Sequence, residues 1–315
     1  MNRFLRRVVL VLLVGTVVSA AVSAEGRTFR WATAGDSQTF DPHSQNDAIT
    51  QQLLNQVYDA LVDRDRALDF VPQLAERWEL VNDRLWRLHI RRGVQFHDGT
   101  PLTARDVVFS LQRAKHPNSN VRVYANALGT IRKVDDYTIE LAQESPNPAL
   151  LQHLSTLWIM SEAWSIRHRV EVPIDFKAGE QSHVSLNANG TGPFILANRK
   201  PGVETSFTRN PRYWKPIEGN VTHLVHRPIA NAATRMAALA SGEIDLVQDP
   251  SLQDIARLKA NPALFRVIEG VENRIIFVGM DQWREHLPGL AVNPFKDRRV
   301  REAMYRAIDS AALHQ

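Results

Sequence analysis

In the first half of the chain, apolar residues recur at every second position in some segments and at helical spacing in others. Residues 27–34 (RTFRWATA) alternate apolar and polar positions, which predicts a strand. Residues 47–61 carry apolar side chains at helical spacing and predict a helix, and a further helix is predicted over residues 146–157. Residues 77–90 and 131–141 alternate again on either side of turns that contain aspartate, which predicts two β-hairpins.

The second half of the chain predicts an α/β arrangement, because short apolar strands alternate with helices. The predicted strands lie at residues 190–196, 205–209, 221–227 and 244–247, and the predicted helices at residues 230–241 and 252–258. Near the end, Val300, Met304 and Ile308 share one face of a predicted amphipathic helix. The sequence stops seven residues after Ile308 with no closing strand, so either this helix caps the protein or the chain is a fragment.

Residues 96–111 (FHDGTPLTARDVVFSL) hold an adjacent histidine and aspartate that resemble catalytic groups. His97 and Asp98 are predicted at a strand end, where neighbouring side chains point in opposite directions, so they are not expected to form a dyad. Thr103, with Asp106 three positions on, matches a helix capping box. The segment therefore predicts a turn followed by a helix rather than an active site.

The N-terminus has the three parts of a secretory signal. Arg3, Arg6 and Arg7 form a positive region, an apolar run follows over residues 8–18, and Val22-Ser23-Ala24 resembles a cleavage site. The apolar run is short for a transmembrane helix, which needs about 20 residues. We therefore predict a signal peptide over residues 1–24, with an uncleaved anchor as the alternative.

Charge and cysteine content exclude several classes of function. The formal net charge is +4, but the three arginines of the predicted signal leave the remaining chain at +1, which gives little support for a nucleic-acid partner. The chain has no cysteine, so disulfides, zinc–thiolate sites and thiol nucleophiles are excluded. An exported chain without cysteine suits the bacterial periplasm or cell surface.

Other candidate sites for metals or phosphates are weak. The 11 histidines are scattered, and His223 and His226 are expected beside a strand core, partly exposed and not ligands. Gly190-Thr191-Gly192-Pro193 resembles a phosphate loop, but Pro193 lacks an N–H and no lysine follows, so a bend into a strand is predicted. No cofactor and no metal are predicted. A secreted hydrolase remains an alternative, although it would need a nucleophile–base pair.

Several spaced motifs occur together in one order along the chain. They are FDPH at residues 40–43, LAERWE at 74–79, WRLHIRRGVQFHDGTPLTARDVVFS at 86–110, GTGPF at 190–194, RNPRYW at 209–214, SGEIDLV at 241–247 and DRRVREA at 297–303. This set resembles the signature of the family 5 extracellular solute-binding proteins, the dipeptide, oligopeptide and nickel receptors of ABC importers. The resemblance runs from about residue 29 to residue 309.

The resemblance implies an α/β, type II periplasmic-binding-protein-like fold with two lobes, an extra α+β subdomain and a second lobe that is largely missing. After the signal peptide, it implies four segments. Residues 25–68 and 184–277 would form the two segments of lobe 1, residues 69–183 the extra subdomain, and residues 278–315 the incomplete start of lobe 2.

The resemblance also implies which side chains meet a solute. Family contacts come from the loop after the Asp-Pro dipeptide, and a subdomain tyrosine also reaches the ligand in an oligopeptide receptor. The corresponding residues here are His43, Ser44, Gln45, Asn46, Asp47, Ala48 and Tyr124, and Trp158 is a further candidate for the cleft lining. That receptor has an acidic and a β-branched residue where this chain has Asn46 and Ala48. This departure leaves the solute open among peptides, nickel chelates, haem, sugars and opines.

The function implied is that of a periplasmic receptor, not an enzyme. It would capture a peptide or another small solute by hinge closure and deliver it to an ABC permease in the inner membrane. A monomer without cofactor, metal or nucleic-acid partner is expected. The alternatives are a secreted hydrolase and a truncated receptor fragment with no activity of its own.

Overall fold

The computed structural model describes residues 26–270, 277–309 and 312, so the predicted signal peptide at residues 1–24 lies outside the described part. The strands are β1 (Arg27–Thr33), β2 (Val62–Arg64), β3 (Phe70–Pro72), β4 (Ala75–Asn82), β5 (Leu85–Ile90), β6 (Thr130–Asp135), β7 (Thr138–Ala142), β8 (Phe194–Lys200), β9 (Glu204–Arg209), β10 (Val221–Pro228) and β11 (Leu246–Val247). The helices are α1 (Ala48–Val57), α2 (Ala104–Arg113), α3 (Arg122–Asn126), α4 (Leu150–Leu154), α5 (Glu162–His168), α6 (His183–Leu186), α7 (Ala232–Ala240), α8 (Leu252–Lys259) and α9 (Arg298–Ala307). The chain divides into two compact units, one ending at Ala256 and one beginning at Arg257.

A five-stranded sheet in the order β11-β1-β10-β9-β8 is the centre of the first unit. β1 runs parallel to β10 and to β11, with Trp31 paired to His226 on one side and Leu246 on the other. β8, β9 and β10 are antiparallel neighbours. The aromatic rings of Trp31 and Phe207 stack in the core under this sheet, with centroids 6.2 Å apart. The α/β arrangement predicted for the second half is confirmed.

Helix α1 begins as predicted but ends early. The side chain of Asp47 accepts a hydrogen bond from Thr50 N at 2.9 Å, which caps the first turn. The helix ends at Val57, because Tyr58 has an extended backbone and Ala60 pairs instead with Trp158. Tyr58 and Leu61 are fully buried although they lie beyond the helix. The apolar character of these two residues therefore reflects their burial and not a helical conformation.

A second, four-stranded antiparallel sheet has the order β4-β5-β7-β6 and contains both predicted hairpins. Trp78 and Trp86 lie half-buried against its core. Helix α2 packs on this sheet and carries the predicted capping box, in which Asp106 Oδ2 accepts from Thr103 N at 3.0 Å. The helix predicted over residues 146–157 is confined to α4.

The second unit contains the predicted amphipathic helix as α9. Asp297 caps it by accepting from Arg299 N at 2.8 Å. Just before it, the buried side chain of Asn293 donates to the backbone oxygens of Asp281 and Arg284, at 2.7 and 2.8 Å. Met304 on the apolar face of α9 keeps 38% of its surface exposed.

Candidate functional site

The loop with the predicted solute contacts, residues 43–48, belongs to the connection that leaves the carboxyl end of the parallel strand β1. In open α/β sheets, ligands bind outside these ends. β1 ends at Thr33, and residues 34–47 lead from this edge to α1. The predicted solute contacts at residues 43–48 therefore lie at the end of that connection, beside α1.

A fully buried ion pair anchors this loop to the α2 helix. Arg113 holds Asp41 through two bonds of 2.7 Å, one to each carboxylate oxygen, and neither side chain is exposed. Burial by itself would raise the pKa of Asp41, but the charge and hydrogen bonds of Arg113 outweigh it and hold the pKa below the ordinary value. The same guanidinium donates to the backbone oxygens of Val170 and Val172, both at 3.1 Å.

His43 and Ser44 lie behind the loop surface. Arg113 Nη1 lies 3.0 Å from His43 Nδ1, so this nitrogen is the acceptor and the Nε2–H donates to Trp158 O at 3.0 Å. His43 and Ser44 are fully buried. Burial lowers the pKa of His43 to about 3, and the nearby Arg113 charge lowers it further. These two predicted contact residues support the loop from inside.

Three other predicted contact residues reach the surface. Asn46 and Ala48 are exposed and Asp47 is half-buried, its carboxylate accepting from Thr50 N and from Gln38 Nε2. Asn46 Nδ2 donates to the Tyr124 hydroxyl at 3.4 Å. The loop and the subdomain tyrosine therefore meet, and solute contact by these residues stays a prediction.

His153 extends this surface, and sequence reasoning missed it. Its ring lies 6.0 Å from that of Tyr124, tilted by 34°. Desolvation lowers its pKa. We define the solute wall as Gln45, Asn46, Asp47, Ala48, Tyr124 and His153. His153 sits on α4, far along the chain from the loop, and no local pattern marks it.

Trp158 packs behind the solute wall. It is 8% exposed, and its Nε1–H donates to Gln51 Oε1 at 2.6 Å. Because Gln51 lies on α1, this bond ties α1 to the segment that follows α4. Solute contact by Trp158 stays a prediction.

The motif around His97 docks on the glycine-rich loop instead of forming a dyad. His97 N donates to Gly190 O at 2.9 Å and the ring Nε2 lies 3.0 Å from Gly192 O, so Nε2–H is the donor. Asp98 turns away, because its Oδ1 accepts from Thr100 N at 3.0 Å. Burial lowers the pKa of His97 to about 4. The structural interpretation of this segment is confirmed by these contacts.

A buried carboxylate joins two further motifs. Asp59 is fully buried and accepts from four neutral donors, at 2.7 to 3.2 Å: Gln73 Nε2, Thr191 Oγ1, Tyr213 Oη and Trp214 Nε1. Desolvation raises its pKa above the ordinary value in spite of these bonds. The RNPRYW and GTGPF motifs therefore converge on one side chain that no spacing rule identified.

His226 is buried, and its predicted partial exposure is wrong. It is paired inside the sheet, where its ring lies 5.1 Å from that of Trp31. Its Nε2 lies 2.7 Å from Thr33 Oγ1, and its Nδ1 lies 3.8 Å from Asp36 Oδ1. Burial lowers the pKa of His226 to about 4, with Asp36 opposing and Arg199 adding to the shift. His223 is exposed, as predicted.

These buried histidines predict loss of stability in acid. A histidine whose folded pKa is depressed stabilises the fold above its unfolded pKa of about 6.5, and this contribution is lost as pH falls towards 4. We expect His226→Gln to flatten the dependence of the unfolding free energy on pH by up to about 1.4 kcal/mol per pH unit between pH 6 and 4.5.

Urea unfolding at several pH values measures this slope. His223→Gln, on the exposed face of the same strand, is the control and should leave the slope unchanged. Asp59 and Asp106 have raised pKa values, so they change the unfolding free energy with pH in the opposite direction. The result is therefore the difference in slope between each variant and the unsubstituted chain. Equal slopes in the two variants would contradict the burial argument.

Two further features of the described residues bear on metal binding and on crossing a membrane. Across residues 26–270 and 277–309, no group of three or more His, Asp or Glu side chains is placed to hold a metal ion. Among the helices of that same part of the chain, none combines the length and apolarity that crossing a bilayer requires.

Comparisons with known proteins agree on one family. The family model described as bacterial extracellular solute-binding proteins, family 5 middle, matches residues 69–315. Heme-binding protein A of Haemophilus influenzae is 28% identical, over 95% of this chain and 56% of its own length. The chain therefore spans about half the length of the curated relatives it matches.

Solved structures match in the same way. A periplasmic binding protein, DppA from Helicobacter pylori in complex with the peptide STSA, has a TM-score of 0.66 and 25% identity, covering 75% of this chain and 49% of that one. MoaA of A. tumefaciens R10, in complex with mannopinic acid, has a TM-score of 0.66 and 27% identity, covering 76% and 48%. The type II periplasmic-binding-protein fold expected from the sequence is confirmed, and the relatives are binding proteins, not enzymes.

Proposed function

Because the chain belongs to the family 5 bacterial extracellular solute-binding proteins, we propose that it forms one side of the solute cleft in the receptor of an ABC importer. The solute is a peptide or a similar small molecule, which the receptor delivers to a permease in the inner membrane. The observation that carries this proposal is the family match over residues 69–315, together with a solute wall at the edge where this fold binds ligands.

The chemistry of the solute wall supports a solute held through neutral groups. Asn46 offers an amide, Tyr124 a phenol and His153 an imidazole, while the Asp47 carboxylate is already used as a helix cap. Such groups suit backbone amides and flat rings. The proteins compared above bind haem, a peptide and mannopinic acid by their names, so this proposal leaves the solute class broad.

Hinge closure is the proposed mechanism. A solute that touches two lobes binds the closed form more tightly than the open form and shifts the population towards closure, with no bond broken. The proposal places the mature chain in the periplasm as a monomer, exported by the signal at residues 1–24. This placement is supported by two relatives that are named as periplasmic proteins for peptide transport and oligopeptide binding.

A thermal-shift screen of the 315-residue chain tests this function. The probes are a dipeptide mixture, the peptide STSA, haem and mannopinic acid. We expect at least one probe to raise the melting temperature, because ligand binding to the folded state alone stabilises it. The rise should disappear in Ala48→Trp, since the indole would occupy the solute wall.

The matched control is Ala163→Trp, another exposed alanine in the first turn of a helix, which should keep the response. Stabilisation that survives Ala48→Trp would place binding elsewhere. No stabilisation by any probe would reject solute binding by this chain alone. Turnover of a chromogenic ester or amide would instead support the hydrolase alternative.

A further inference from the structure

Three aromatic rings form a compact cluster that shares no residue with the solute wall. The imidazoles of His168 and His183 stack with centroids 4.0 Å apart and planes only 4° from parallel. The indole of Trp164 packs against both, at 4.8 and 5.5 Å. His168 is the last residue of α5 and His183 the first of α6, so the stack joins two helix ends.

The stacked pair closes a loop. Residues 169–182 leave α5 at His168 and return to α6 at His183, which brings the two ends of a 14-residue segment together. Surface loops whose ends lie close are commonly compact and functional. The exit is held by Arg169, which adopts a left-handed backbone at φ 57° as the cap of α5. We call residues 169–182 the clasp loop.

The first part of the clasp loop reaches the buried ion pair beneath the solute wall. Val170 O and Val172 O accept from the Arg113 guanidinium, and Ile174 N donates to Asp41 Oδ2 at 3.1 Å. Asp41 in turn accepts from His43 N at 3.0 Å. One continuous set of contacts therefore runs from the clasp loop to the loop that carries Asn46.

The geometry points to a proton-sensitive clasp: protonation of both stacked imidazoles separates them, loosens residues 169–182 and weakens the support of residues 41–48. Two cations 4 Å apart repel by about 1 kcal/mol even in water, which corresponds to about a fivefold shift in the balance between closed and open forms. A singly charged pair has no such repulsion, because the cation faces a neutral ring and the indole.

Other charged side chains near the two imidazoles interact with partners outside the pair. On α5, Glu162 is ion-paired with Arg105, and the charge of Arg167 acts on Asp98. Across from α6, Arg199 is paired with Asp36. Desolvation lowers the pKa of His183, and the charge of His168 lowers it further. In acid, the partner imidazole is therefore the neighbour whose charge acts on His183.

Titration of the ring protons by NMR, combined with amide hydrogen exchange, tests the clasp. We expect the pair to titrate in two steps, since interacting sites lose their protons one after the other. As pH falls from 7.5 and the second proton binds, exchange in residues 169–182, corrected for intrinsic rates, should accelerate by up to about fivefold, with a smaller acceleration in residues 41–48.

Two variants separate charge from packing. His183→Phe keeps a stacked ring that takes up no proton, so the charge repulsion is removed and exchange in the clasp loop should lose the part of its pH response that the pair supplies. His183→Ala removes the stack, so exchange in the clasp loop should be fast at every pH. His223→Gln controls for histidine loss at an exposed site. One-step titration of both rings in the unsubstituted chain, or an equal pH response in His183→Phe, would overturn the proposal.

Discussion

Arg113→Met lowers the free energy of unfolding by about 3–5 kcal/mol, because it leaves a buried carboxylate without its cation. The Asp41 side chain is completely buried, and Arg113 supplies both of its 2.7 Å charge-assisted bonds. Methionine fills much of the arginine volume, so the expected loss reports the missing charge and hydrogen bonds and not an empty cavity. Urea unfolding at pH 7, followed by circular dichroism, measures it.

Two further variants test whether the loss of stability comes from the unpaired buried charge. Lys133→Met breaks the exposed pair with Asp136 at the β6–β7 turn and should cost less than about 1 kcal/mol. Adding Asp41→Asn to Arg113→Met should restore part of the loss, because the unpaired buried charge is removed. A double variant less stable than Arg113→Met alone would show that shape, not charge, determines the stability of this site.

Gly192→Ala destabilises the fold by more than about 3 kcal/mol, at the upper end of what overpacking costs. A Cβ at this position would lie 2.6 Å from the carbonyl carbon of Val57, and at Gly190 it would lie 2.0 Å from Val57 O. Both contacts are with backbone, which cannot rotate away. The close approach is needed because Gly192 N donates to Val57 O at 2.8 Å and closes the end of α1.

The control for Gly192→Ala is Gly202→Ala at the β8–β9 hairpin tip. Gly202 has φ 73° but free space around it, so its substitution should cost only the backbone penalty of about 1–2 kcal/mol. Thermal and urea unfolding of the two variants give the comparison. Equal losses would show that the close approach of Gly192 to α1 costs no more than a strained backbone, and would contradict the overpacking argument.

Elements with a local chemical signal were predicted well from the sequence. The capping box at Thr103 depends on residues three positions apart, so the sequence contains all of it. The two hairpins and α9 likewise follow from a repeating pattern over neighbouring positions. In each case the energy that selects the structure comes from side chains within one or two turns.

The errors share a different cause. The sequence predicted a helix to residue 61, but Ala60 is drawn into pairing with Trp158, a partner almost 100 positions away. His226 was expected to be partly exposed, yet the neighbouring strands β1 and β9 enclose it. Burial by distant strands leaves no periodic mark on the buried residue itself.

In the candidate site, too, some features could be predicted from the sequence and others could not. The loop carrying Asn46 and the partner Tyr124 followed from family resemblance, and the structure brings them within 3.4 Å. His43 and Ser44 were also predicted to meet the solute, but the structure buries both. His153 and Asp59 had no signal, because their neighbours come from separate elements of the fold.

The central sheet also sets an order of folding. β1 is inserted between β10 and β11, so Trp31 on this early strand pairs with His226 and Leu246, which follow it by 195 and 215 positions. Contacts of such long sequence separation form slowly, because the loop entropy is lost before the pairing energy is gained. The four-stranded sheet, by contrast, pairs residues that are at most 57 positions apart, the separation of Leu85 and Ala142. A nascent chain therefore acquires its subdomain early and remains open at its N-terminal strand until β10 has been synthesised.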